Sequence, residues 1–322
     1  MSVIESDLLS GNFQSMFRNT VGRLISDGAS GQTVMSKTEW QLDPGLSAAM
    51  KEIVSLHPED RGFRVVPGLL NGLGDPGHTP PRWSEVEATQ AAAHDVALVL
   101  VASALGRPFG WAGQQDGRLV HNILPSPESA GLQVGASSAV PLAWHTEDAF
   151  HSERADVLLL ACMRNPDSVG TRLASIRDIA LSSTELERLQ QPLAIINPDD
   201  SYRIDGRDGA SDVGMSTVWS RTDGLCVRYD PFYTRFLEEE PTFLDTYEQL
   251  AQRFEDCSFS VNLRPGDLLV VDNDVLVHGR VAFRPRYDGT DRWLKRVLVR
   301  APRLRPSREQ TEHGYGQTPL LF

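Results

Sequence analysis

The run Trp144-His145-Thr146-Glu147-Asp148-Ala149-Phe150 sets polar side chains inside an apolar frame. On an extended strand alternate side chains share a face, so His145 and Glu147 are expected to project together. Trp144, Ala149 and Phe150 make the surroundings apolar, and an imidazole and a carboxylate buried there need something to bind. A related situation closes the second half of the chain. The tight turn Arg264-Pro265-Gly266-Asp267 feeds an apolar run from Leu268 to Val277, which ends in His278. Both stretches read as buried strands carrying a ligand-type residue.

The same strand texture extends on either side. From Gly110 onward, short β-branched runs alternate with Gly, Pro, Asp and Asn, and strands are expected over 118–124, 157–163, 171–176, 193–197, 216–220, 225–229, 258–263, 267–272 and 293–300. Many short strands with regular turn punctuation predict a sandwich or barrel. Helices over 178–190 and 242–256 interrupt them, the second with Leu244, Tyr247, Leu250, Ala251 and Phe254 on one side. The N-terminal part is helical: weakly over 13–25, amphipathically over 45–56, and most strongly over 84–105, where Ser84 and Glu87 form a capping box and Gly106 is the stop. A short strand over 63–70 and a Gly- and Pro-rich loop over 71–83 separate the last two helices. The polar tail after Pro302 is expected to be mobile. The fold class is mainly β with flanking helices, with no internal repeat and no clear domain boundary.

Composition narrows the function. The 322 residues suit one β-rich unit with added helices, and a hydrophobic content of 40% supplies an ordinary core. Asp+Glu 43 against Lys+Arg 31 gives a net charge of -12. That argues against a general nucleic-acid binder, which neutralises phosphates with cationic surface. Cys162, Cys226 and Cys257 are widely spaced without a Cys-x-x-Cys pair, which fits a reducing compartment rather than a disulfide scaffold or zinc ribbon. Met1–Gly31 lacks a signal-peptide pattern, and the apolar run Val96–Leu105 is too short to span a bilayer. A cytoplasmic protein with no membrane or nucleic-acid partner is expected, its oligomeric state left open.

A His-x-Glu tripeptide alone is common, and the plain alternative is a surface strand with both groups solvated. A single histidine at the end of an apolar run is likewise more often a core residue than a ligand. Together, His145, Glu147 and His278 supply two imidazoles and one carboxylate, the ligand set of non-haem Fe(II) oxygenases, which leaves metal positions open. A zinc hydrolase uses the same ligand types with water in one open place, but no Asp or Glu stands out as its general base. The remaining histidines are read as non-ligands, with His121 and His151 the nearest rivals.

Beyond His278 the chain is rich in arginine. Arg292, Leu294 and Arg296 share one face of the 293–300 strand and Trp293, Lys295 and Val297 the other. Guanidinium groups facing a sheet interior are costly unless anions meet them, and carboxylates match them bidentately. His145-Thr146-Glu147, His278, then Arg292 and Arg296, with Pro125-Ser126-Pro127, Phe283-Arg284-Pro285-Arg286-Tyr287-Asp288-Gly289 and Asp291-Arg292-Trp293, resemble the clavaminate-synthase-like Fe(II)/2-oxoglutarate oxygenases. That family includes hydroxylases of free arginine, lysine and asparagine. The resemblance runs from about Ala97 to Pro302.

The resemblance implies a double-stranded β-helix (jelly-roll) core over about 107–302, a helical part over about 1–106 packed on it, and a single oxygenase domain over 1–322. It implies Fe(II) held by His145, Glu147 and His278, with 2-oxoglutarate and O2 as co-substrates. Arg292 would take the distal carboxylate of 2-oxoglutarate with Thr171 donating to it, and Arg296 the α-carboxylate of an amino-acid substrate. Gln115 is the candidate for the α-amine, Gln114 its rival, and Glu147 a further contact. Where some relatives carry a serine this chain has Gly135, with Ser137 and Ser138 nearby. Asp230, at the end of the 225–229 strand, is the candidate reader of a basic side chain, the alternative being a turn cap before Pro231. Hydroxylation of arginine or lysine, at Cβ first, is the expected reaction. Desaturation, ring closure, an asparagine-like or carrier-bound substrate, and a non-catalytic small-molecule binder stay open at this level.

Overall fold

A computed structural model describes residues 9–36, 42–86, 89–202, 213–303, 305, 315 and 317–321. Within them the chain forms five α-helices and antiparallel sheets. The helices are α1 (Gly11–Ser26), α2 (Pro44–Val54), α3 (Ala92–Leu105), α4 (Ser183–Leu189) and α5 (Pro241–Cys257). The strands are β1 (Phe63–Val66), β2 (Arg107–Trp111), β3 (Val120–Ile123), β4 (Leu142–His145), β5 (Val157–Arg164), β6 (Thr171–Ser175), β7 (Ala194–Ile196), β8 (Val218–Arg221), β9 (Gly224–Val227), β10 (Thr234–Phe236), β11 (Phe259–Val261), β12 (Leu268–Asp272), β13 (Leu276–Arg280), β14 (Trp293–Arg300) and β15 (Pro319–Leu321). The larger sheet runs β1-β12-β5-β14-β2-β15, with β3 also on β14, and a four-stranded sheet runs β11-β6-β13-β4.

Strand alternation sorts the apolar residues into layers. Leu158, Leu160, Cys162, Leu269, Leu294 and Leu298 point inward and meet Leu173, Val261 and Leu276 of the smaller sheet. The intervening residues Leu159, Ala161, Val270, Val297 and Val299 pack outward against α1, α2 and α3. Ala174 and Val277 of the smaller sheet pack outward against Phe243, Tyr247, Leu250 and Phe254 of α5. The strands buried on both faces are therefore apolar at consecutive positions, as covered sheets require. Lys295 obeys the same alternation: it faces outward, with Nζ 2.6 Å from Asp95 Oδ1 on α3 and 2.9 Å from Asn122 Oδ1.

Four expectations change. The strongest expected helix starts at Ala92, not Ser84; Trp83–Glu85 is a single 3-10 turn, and Glu87 lies outside the described residues. Val86 and Ala91 bury into the helical layer and Gln90 donates to His78 O, so the chain turns there instead of coiling. The apolar run expected to lead straight to His278 is broken at Asn273-Asp274 into β12 and β13, which belong to different sheets. β2 and β10 were not expected, since Pro108 and Gly110 are poor strand residues; β14 and β15 hold β2 in place by pairing. The described part of the tail is bound rather than mobile: Arg303 and Arg305 reach Asp272, Asp156 and Asp274, and β15 pairs with β2.

Candidate active site

His145 and His278 face each other directly across β4 and β13, their rings tilted at 51° with centroids 4.2 Å apart. Between His278 and Arg280 the register slips, with Arg280 opposite Leu142. Glu147 arrives by a different route from the one expected. β4 ends at His145, and the next residues form a turn in which Asp148 takes a positive φ of 52°. Asn273, fully buried, accepts the Glu147 N–H at 2.7 Å and donates to Glu147 O at 3.0 Å and Ala155 O at 2.9 Å. Thr146 N–H donates to Tyr229 O at 2.8 Å. Tertiary hydrogen bonds, not strand alternation, therefore aim the carboxylate.

The three side chains offer ligand atoms within 4.8 Å of one another, and Glu147 Oε2 is 3.3 Å from His278 Nε2. His145 Nδ1 lies 2.9 Å from Ala143 O, which makes it the protonated nitrogen and leaves Nε2 to ligate. Burial, then His278, lowers the His145 pKa and keeps the ring neutral. Burial alone would raise the Glu147 carboxyl, but Arg296, with His278 and His145, holds it well below the usual carboxylate range. Two imidazoles and an ionised carboxylate fit a divalent metal; His278 Nε2 faces Glu147, and its buried Nδ1 has no hydrogen-bond partner.

The metal face opens on a cavity of about 80 Å³, lined by Thr171, Asp230, Arg280, Arg292 and Arg296 among others. Arg292 is buried with Nη2 3.2 Å from Thr171 Oγ1, the expected pair, and its Nε is unpartnered. Burial lowers its pKa to about 10, the mark of a cation without a counter-anion. Arg296 Nη1 donates to Glu147, and Nη2 is 2.6 Å from Gln114 Oε1 and 2.5 Å from His121 Nδ1. Asp230 caps its turn, Oδ1 accepting the N–H groups of Phe232 and Tyr233, and it also lines the cavity. Burial pushes its carboxyl up to about 6.

The candidate amine contact needs correction. Gln115 and Asp116 have φ of 45° and 56°, and this left-handed pair lays the Gln115 amide on the Asn122 backbone, at 2.9 and 3.0 Å. Gln114 is the glutamine beside Arg296. Asp199 is an acid that the sequence reading passed over: it lines this cavity and an adjoining chamber of about 380 Å³ that shares Arg296. Asp148, held by Trp111 Nε1 at 2.7 Å and by Tyr202 OH, was also missed, and burial raises its carboxyl to about 7. His121 and His151 are buried and stand outside the ligand set.

Residues 86–298 match the family model described as taurine catabolism dioxygenase TauD, TfdA family. The chain belongs to the TauD/TfdA dioxygenase family. It is an Fe(II)/2-oxoglutarate-dependent oxygenase, using O2 as the resemblance implied. This dioxygenase is 36% identical over 275 residues to enduracididine β-hydroxylase of Streptomyces hygroscopicus, covering 78% of this chain and 80% of the relative. It is 31% identical over 264 residues to L-ornithine/L-arginine 3-hydroxylase of Catenulispora acidiphila, covering 75% and 77%. The solved structure of the non-haem iron oxygenase OrfP with Fe and α-ketoglutaric acid is similar with a TM-score of 0.76 and 32% identity, covering 90% of this chain and 92% of that one. Among the described residues no helix is long and apolar enough to cross a membrane.

Proposed function

We propose that this dioxygenase hydroxylates a free basic L-amino acid, arginine first and lysine second, at the unactivated Cβ. The observation that carries the proposal is the cavity itself: the two-histidine, one-carboxylate set opens onto a wall shared by Arg292, Arg296 and Asp230. Relatives named for hydroxylating enduracididine and ornithine or arginine support a guanidine-bearing substrate and attack at the β carbon. In this reading residues 1–322 form one domain on a double-stranded β-helix core, supported by two sheets that bury one apolar layer between them. A cytoplasmic location accords with three cysteines that form no disulfide.

His145, Glu147 and His278 would hold the iron. With 2-oxoglutarate and O2, the bound metal supplies the oxidation that inserts one oxygen atom into a C–H bond and leaves succinate and CO2. The protein's own work is positioning. Arg292 and Thr171 take the distal carboxylate of 2-oxoglutarate. Arg296 would take the substrate α-carboxylate from its place beside Glu147. Gln114 and Glu147 stand beside the α-amine, and Asp230, with Asp199 nearby, meets the cationic end of the side chain. Fixing both ends of the amino acid decides which carbon faces the metal.

The test is a panel of free amino acids with Fe(II), 2-oxoglutarate and ascorbate, read as succinate release and product mass. Arginine turnover with a product heavier by one oxygen atom is expected. Loss of two hydrogens identifies a desaturase or cyclase, and activity that persists under argon identifies a hydrolase. The chamber beside Arg296 favours one second reading, an amino acid carried on a larger group; turnover of such conjugates and not of free amino acids would establish it.

A further inference from the structure

Arg280 is a second buried guanidinium on the cavity wall, two residues beyond His278 on β13 and on the same face of that strand. It stands directly opposite Thr171 on β6, the residue whose hydroxyl Arg292 contacts. The order along the wall is therefore Arg280, Thr171, Arg292. Arg280 Nη2 donates to Ser137 Oγ at 2.8 Å, Nη1 donates to Val281 O at 3.0 Å, and the group lies over the Phe283 ring at 4.7 Å. Among the described residues no carboxylate is within ion-pair reach of Arg280 or Arg292. Two neighbouring cations taken out of water without an acid repel one another and forgo their hydration, an arrangement that is stable only when an anion enters.

We propose that Arg280 is a second binding residue for the distal carboxylate of 2-oxoglutarate, so that this carboxylate is held between two guanidinium groups with the Thr171 hydroxyl between them. The assignment explains why Ser137 sits near the position where some relatives carry a serine: it orients Arg280 from behind and does not touch the substrate. It also gives the pocket a rule of selection. A keto-acid of similar length without the second carboxylate leaves both arginines uncompensated, so discrimination against it exceeds what one ion pair supplies. The inference rests on the co-substrate identity but not on which amino acid is hydroxylated.

The test is anaerobic titration of the Fe(II) protein with 2-oxoglutarate and with 2-oxovalerate, followed by the visible charge-transfer band of the metal chelate. Arg280→Gln is expected to weaken 2-oxoglutarate by about ten- to a hundredfold, the span of one charge-assisted interaction. It leaves 2-oxovalerate unchanged, because the chelating end is common to both. Arg280→Lys keeps the charge without the planar fork and falls between, which also covers the case in which Gln prevents folding. Equal losses for both keto-acids, or no loss for 2-oxoglutarate, overturn the assignment. Should the wild-type protein itself prefer neither keto-acid, the co-substrate reading fails, an outcome separate from failure of the Arg280 variant alone.

Discussion

Among the described residues, two clusters of buried and half-buried arginine are built on opposite terms. Around the β12–β13 turn, Arg154 Nη2 is 3.1 Å from Asp274 Oδ1, Arg303 Nη1 is 2.6 Å from Asp272 Oδ1 and Arg305 Nη2 is 2.8 Å from Asp156 Oδ1. Each cation there meets an acid, and backbone groups such as the Ala301 N–H complete the carboxylates. Around the cavity, Arg280, Arg292 and Arg296 face the interior, and among the described residues Glu147 is the only acid that meets them, a carboxylate that belongs to the metal-ligand set. A buried charge cluster that closes on itself holds the fold; one left open holds a ligand. The missing counter-charge is what separates them.

The sharpest way to break the contrast is at the metal. His278→Ala should abolish turnover and iron retention, measured by metal content after desalting, while far-UV circular dichroism stays unchanged. Next, Asp274→Ala should cost about 3–5 kcal/mol in denaturant unfolding, because it removes one acid from a fully buried ion pair with Arg154. Arg292→Met should do the opposite in the apoprotein, where unfolding stability holds or rises. Its 2-oxoglutarate affinity, read by calorimetry, should drop by about 2–3 kcal/mol. If Arg292→Met destabilises the apoprotein as much as Asp274→Ala does, the distinction between the two clusters collapses. The smallest effect is expected for Asp230→Asn: kcat/KM for arginine about tenfold lower, with iron content and 2-oxoglutarate affinity unaltered. Unchanged arginine kinetics would leave Asp230 as a turn cap only.

The chemistry of the site was more legible in the chain than its geometry. Val157–Arg164 and Trp293–Arg300 form strands where their β-branched runs stand, since local pattern and burial agree there. The alternation of Arg296 and Lys295 to opposite faces follows from the same period, and it put Arg296 in the cavity and Lys295 against Asp95. The same rule sets Arg280, two positions past His278, on the ligand face of β13, although the sequence had not singled it out. What could not be read locally depends on distant partners. Glu147 left the strand because Asn273 and Tyr229, each more than eighty residues away, hold its turn. The choice between Gln114 and Gln115 rests on a left-handed pair of non-glycine residues, for which composition gives no sign. β2 contains Pro108 and Gly110 and exists through its neighbours; at Gly110 a Cβ would come within 2.4 Å of Arg118 O, so the close approach itself demands glycine. The helix start at Ala92 likewise answers to burial of Val86 and Ala91, not to the cap signal at Ser84.

The clamp formed by Arg303 and Arg305 has a practical consequence. Asn273, which steers Glu147, stands in sequence between Asp272 and Asp274, two of the three acids that these arginines grip. A recombinant fragment stopped after Arg300, where the last shared sequence signature has already passed, would keep every metal-binding side chain and lose the hold on one of them. We expect such a fragment to fold and to leave a desalting column short of iron, which elemental analysis beside the full chain would reveal.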